Sequence, residues 1–124
     1  MKTIKQHILE RLVLSKNKTK IKHTLFPKSK EELKEIINSE IKKNGSECSL
    51  NHIDVSEITD MESVFDDVKF DGDISEWDVS NVTNMSAMFI HSSYTGKNGD
   101  ISGWDVSNVT NMNSMFADCP FNGD

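Results

Sequence analysis

Carboxylates recur at fixed places in the second half of this chain. Asp54, Asp78 and Asp105 each open an Asp-Val-Ser triplet, and Glu57, Asp60, Asp66, Asp67, Asp71 and Glu76 crowd the stretch between the first two. If equivalent positions stack in register about 4.8 Å apart, bare neighbouring charges repel by about 0.8 kcal/mol even in water. Two arrangements offset that repulsion. Each Asp accepts backbone N–H groups in an Asx turn, or the column forms a face that meets basic groups on a partner. Catalysis has no comparable pattern. His7, His23, His52 and His91 share no repeat position, Cys48 and Cys119 carry no local signature, and no glycine-rich phosphate loop is present. The run from Asp67 to Asp78 partly matches a calcium loop, but Lys69 stands where an oxygen ligand is needed and Asp replaces the bidentate Glu. A non-enzymatic protein without metal or other cofactor is expected.

The opposite charge lies upstream. Lys16, Lys18, Lys20, Lys22, Lys28 and Lys30 form a basic arm that suits either phosphates or the acidic body of the same chain. Residues 1–43 hold 12 basic and five acidic residues, while residues 44–124 hold two basic and 15 acidic ones, so a net charge of -6 conceals a +7 segment and a -13 segment. Such a split points to two different contact surfaces. The 124 residues make one domain. No run of 18 apolar residues spans a membrane, and the start, Lys2 to Leu14, is no secretion signal, because Glu10 and Arg11 break its apolar stretch. With only two cysteines, a reducing, cytoplasmic setting is expected.

The elements that position these groups are set by an internal repeat. Trp77-Asp78-Val79-Ser80-Asn81-Val82-Thr83-Asn84-Met85 recurs identically from Trp104 to Met112, and both copies run on to Met-Phe at Met88-Phe89 and Met115-Phe116. A degenerate copy runs from Asp54 to Phe65, and Gly-Asp-Ile-Ser recurs at Gly72 and Gly99. The spacing is 24 and then 27 residues, a period of leucine-rich-type solenoids. Alternation at Trp77-Asp78-Val79 predicts a short strand. Thr83, followed by Met85, Met88 and Phe89 on one helical face, predicts a short helix. Thr59-Asp60-Met61-Glu62 reads as a capping box. Upstream, Ile4, Ile8, Leu9 and Leu12 predict an amphipathic helix over about 3–14. Ser29-Lys30-Glu31-Glu32 opens a helix over about 30–43 that ends at Asn44-Gly45.

The expected organisation is therefore a basic amphipathic arm (1–28), a capping helix (29–49) and three repeats over 50–124 (about 54–77, 78–104 and 105–124). The last copy reaches Asp124 where the others continue into Ile-Ser-x-Trp. Met115, Phe116 and Phe121 are thus expected at an uncovered end suited to self-association.

The W-D-V-S-N-V-T-N-M-x-x-M-F and N-G-D-I-S strings resemble the repeats of the BspA-like leucine-rich-repeat bacterial surface proteins over about residues 50–124. The resemblance implies a right-handed α/β solenoid and a binding role. Proteins of the resembled family are often secreted lipoproteins or adhesins, and related repeats occur in phages and mobile elements. Val82 and Val109 stand where that family's asparagine ladder runs, with Asn81 and Asn108 one residue earlier.

Three functions are expected to compete. The first is an intracellular binder of a protein partner, of the phage- or mobile-element-encoded inhibitor kind, whose acidic face (Asp54, Glu57, Asp60, Asp66, Asp67, Asp71, Glu76, Asp78, Asp105) occupies a basic groove of a nucleic-acid-handling protein. The second is a structural or surface-attachment module. The third is nucleic-acid binding by the basic arm.

Overall fold

The computed structural model describes residues 22–121. Its helix, α1, spans Lys30–Asn44 and matches the expected capping helix closely. The Ser29 hydroxyl accepts the Glu32 N–H (3.2 Å), and the Glu32 carboxylate accepts the Lys28 N–H (2.9 Å), so two otherwise orphaned donors are satisfied. Gly45, at φ 93°, donates to the Ile41 carbonyl and ends the helix. Leu33 and Ile37 are buried in the core, while Glu40 is buried and bonds the His52 ring. Ahead of α1, the Thr24 N–H meets the His52 carbonyl and the Asp54 N–H meets the Leu25 carbonyl. Helix and leading segment thus both fasten onto the first repeat. The helix expected over 3–14 lies outside the described residues. No helix among the described residues is long and apolar enough to cross a membrane.

The expected fold class, a leucine-rich-repeat-like right-handed solenoid with a short strand and a short helix in each unit, is not what forms. α1 is the one helix among the described residues, and there is no sheet. Parallel pairing shrinks to isolated bridges, Leu25 with Ile53, Ser49 with Asp73, Asp60 with Asn84, and Asn84 with Asn111. Each copy is a chain of tight turns.

Backbone hydrogen bonding explains why. In the second copy the N–H groups of Met88, Ile90 and Ser92 close local turns on Met85, Ala87 and Phe89. The intervening N–H groups of Met85, Ala87, Phe89 and His91 instead reach the carbonyls of Asn111, Asn113, Met115 and Ala117 in the next copy, at 2.8–3.1 Å. A helix needs every N–H turned inward along its own chain; here alternate ones are diverted. The diversion requires left-handed residues, and Ala87 and His91 adopt φ 54° and 57°. Ser63 and Asp67 before them, and Ser114 and Asp118 after them, repeat it. Non-glycine residues seldom sit there, so the cross-copy hydrogen bonds hold the strain in place.

Thr83 is not a helix cap either. Its N–H and hydroxyl both donate to the Thr59 carbonyl, and Thr110 does the same to Thr83. The expected capping box at Thr59 is replaced by Asp60, whose carboxylate accepts the Glu62 N–H.

The core is a set of columns running through the copies. Phe65, Phe89 and Phe116 stack with ring centroids 5.2 and 5.3 Å apart. Phe70, Tyr94 and Phe121 form a second column at 6.1 and 5.6 Å, and Trp77 lies under Trp104 at 6.4 Å. Each indole N–H donates to a carbonyl one copy back, Trp77 to Leu50 and Trp104 to Ile74, so the polar end of a large buried ring is satisfied.

Candidate functional site

The repeat Asp residues are locked by the serine two positions on. The Asp54 carboxylate accepts the Ser56 N–H at 2.9 Å. Asp78 accepts both the N–H and the hydroxyl of Ser80 (3.0 and 2.6 Å), and Asp105 accepts the same pair from Ser107 (3.0 and 2.6 Å). These are Asx turns. In the bonds to Asp78 and Asp105 a single carboxylate oxygen does all the accepting, and both residues are exposed.

Two further columns use the same device. Asp73 and Asp100 take the N–H and hydroxyl of Ser75 and Ser102. Asp60, Asn84 and Asn111 take the N–H of the residue two positions on. Asp73 and Asp100 are absent from the sequence-derived site. The signal was present, because Asp-Ile-Ser and Asp-Val-Ser are one Asp-x-Ser pattern.

The Ser107 and Ser102 hydroxyls, helped by their N–H groups, hold the Asp105 and Asp100 carboxyls below the ordinary range. Ser56 does the same for Asp54. At Asp60 burial pushes the other way, but the Glu62 N–H and Lys30 outweigh it. A carboxyl with a depressed native pKa binds fewer protons than its unfolded counterpart. Its contribution is therefore complete above the ordinary Asp value of about 3.9 and lost as pH falls through the native value. Stability should decline on acidification from about pH 4 downward. Urea midpoints measured across that range check this, and D100N/D105N, which keeps an acceptor oxygen at each turn, should flatten the decline.

The remaining acidic residues of the expected face differ in what they contact. Asp60 pairs with Lys30 at 3.2 Å, and Glu62 lies 3.5 Å from the same ammonium. Asp71 is spent on a loop, accepting the Thr95 N–H and hydroxyl (both 2.7 Å) with Lys97 at 3.6 Å. Asp66 faces the His91 ring, which also approaches Asp118. Asp67 is exposed at a left-handed turn. Glu57 and Glu76 are exposed, and the Glu76 N–H donates to the Asn51 side chain. Among the described residues no ion pair engages Asp54, Asp78, Asp100 or Asp105.

The basic arm is only partly described. Lys16, Lys18 and Lys20 lie outside the described residues. Lys22 and Lys28 are exposed. Lys30 is occupied by Asp60 and Glu62, and Asp60 foremost raises its pKa. At this lysine the basic segment neutralises its own acidic body.

An asparagine ladder is present one residue earlier than the resembled family places it. The Asn81 amide donates to the Ser56 carbonyl and the Asn108 amide to the Ser80 carbonyl, both at 2.7 Å. Burial raises the thiol pKa of Cys48 and Cys119, and burial followed by Asp71 raises the Tyr94 phenol. Among the described residues no three His, Cys, Asp or Glu side chains gather as a metal site.

A family model described as "Mycoplasma protein of unknown function, DUF285" matches residues 31–124, which takes in every repeat and all of α1 but its first residue. No curated protein and no solved structure matches the chain.

Proposed function

The chain belongs to the DUF285 family, whose description assigns no activity, and we propose that it is a non-enzymatic module that binds a basic protein partner along its Asp-x-Ser columns. The observation that carries this reading is the pairing state of those columns. Asp78, Asp100 and Asp105 are exposed, fixed by serine, and outside every ion pair among the described residues. Asp60 and Asp71, by contrast, are occupied internally. A preorganised carboxylate loses little conformational freedom on meeting Lys or Arg, which favours association. Rows of like charge also steer a basic partner toward the surface. An inhibitor that fills a basic groove of a nucleic-acid-handling protein is one form this function takes.

The double substitution D78N/D105N tests it. Asn84 and Asn111 already make the same turn with an amide oxygen, so the fold should hold while two charges disappear. Exposed ion pairs are worth about 0.2–1 kcal/mol each. Affinity for a fluorescent Lys/Arg-rich peptide at low salt should fall about 2- to 30-fold, with the far-ultraviolet circular dichroism of the folded chain retained. Equal affinity in the variant overturns the reading.

A further inference from the structure

The segment ahead of α1 adds one layer to the repeats. Leu25 pairs in parallel with Ile53, and the Asp54 N–H meets the Leu25 carbonyl. This register sets Phe26 beside Asp54 and Pro27 beside Val55. Pro27 is buried, as Val55 and Val79 are. Phe26 thus takes the place that Asp54, Asp78 and Asp105 hold in the copies, and the carboxylate column ends in an aromatic ring.

That ring is not part of the core. Phe26 is 58% exposed, whereas Phe65, Phe70, Phe89 and Tyr94 are fully buried. Among the described residues it joins no ring stack. It lines a concavity of about 290 Å³ with Pro27, Lys28, Asp54, Ser56 and Glu57. The Asp54 carboxylate is held there by the Ser56 N–H at 2.9 Å. Neither Asp54 nor Glu57 enters an ion pair among the described residues. Two carboxylates against the one Lys28 ammonium leave the concavity negative, with an aromatic wall.

One side chain matches both features. A guanidinium lies flat on an aromatic face and forks its N–H groups onto carboxylates. An ammonium has no plane to stack and is more strongly hydrated. On the reading that the Asp-x-Ser columns meet a basic protein partner, we propose that this concavity seats an arginine side chain of that partner. The guanidinium lies over the Phe26 ring and donates to Asp54 and Glu57. Arginine rather than lysine then fixes the partner's position at the first-copy end of the face.

Two fluorescent peptides of equal length and charge test this on the full chain at low salt, one with glycine-spaced arginines and one with glycine-spaced lysines. The arginine peptide should bind about 2- to 5-fold more tightly. F26L, at an exposed position, should bring the two affinities together, and F26W should widen the margin, since Trp is the best ring for a cation. D54N keeps an acceptor oxygen for Ser56, as Asn84 does for Ser86, and should weaken the arginine peptide about 2- to 5-fold. Circular dichroism checks that each variant is folded. Equal affinities for the unaltered chain, or a margin that F26L leaves intact, overturn the proposal. So does a margin that emerges only in R11K, which removes the chain's one arginine, because the seat is then filled from within. D78N/D105N separates the two readings. If it weakens both peptides and no arginine margin exists, the arginine seat alone falls; if it weakens neither, the binding face falls with it.

Discussion

F89A should destabilise the protein by about 3–5 kcal/mol, a large share of the roughly 5–15 kcal/mol that holds a domain together. Phe89 is fully buried at the crossing of both aromatic columns. Its ring lies 5.2 Å from Phe65, 5.3 Å from Phe116 and 4.6 Å from Tyr94. Stacked pairs add about 0.5–1.5 kcal/mol each beyond burial, so removal forfeits three pairs and leaves a cavity inside the middle copy. The backbone N–H of Phe89 also reaches Met115 and its carbonyl accepts Ser92, so a collapse around the cavity would disturb cross-copy bonding too. The urea midpoint should fall by about 2 M at unchanged m. F116A, at the half-buried outer end of the column, should cost clearly less. A loss under about 1 kcal/mol for F89A would show that the columns are not what binds the copies together.

The column through Phe65, Phe89 and Phe116 and the Trp77–Trp104 pair were legible in the sequence, whereas Tyr94, between Phe70 and Phe121, was not, because it lies where the repeat gains three residues. The identity of Trp77–Met85 with Trp104–Met112 fixes which residues stack, and the buried Trp77, Val79, Met85, Met88 and Phe89 are the ones its apolar spacing selects. α1 was legible because its signals are local, namely Ser29 and Glu32 at one end and Gly45 at the other. What was misread is the state of the backbone. Met85, Met88 and Phe89 fall on one side of a helix or of a chain of turns alike, so periodicity cannot separate the two. The deciding groups are alternate N–H donors whose acceptors sit one copy away, and left-handed Ala87 carries no propensity signal for that conformation. Which carboxylates of the acidic face already have partners within the chain is hidden from the sequence for a related reason. Asp60 and Asp71 resemble Asp78 in composition, and only tertiary neighbours, Lys30 in one case and Thr95 with Lys97 in the other, pair them internally.

The second large effect is expected at Gly72. A Cβ placed there would sit 1.7 Å from the Cys48 carbonyl oxygen and 2.8 Å from the Phe70 ring. The oxygen has no room to retreat. It accepts the Asp73 N–H, and the Leu50 N–H is held by the Asp73 carbonyl on the same seam. Ala at this position must therefore part residues 46–50 from 71–73, the contact that joins the end of α1 to the first repeat. Overpacking a core costs about 1–3 kcal/mol, and a collision with backbone belongs at the top of that range or above it. Gly103 supplies the opposite case. A Cβ there meets nothing within 4 Å, and the equivalent position of the preceding copy is Glu76, so the site already accepts a side chain. G103A should be neutral or gain about 0.4–1 kcal/mol by narrowing the unfolded ensemble. Thermal and urea unfolding of the two variants side by side should give shifts of opposite sign or of very different size. Equal shifts would mean that the seam between Cys48 and Gly72 opens readily, and that α1 is not fastened to the repeats through it.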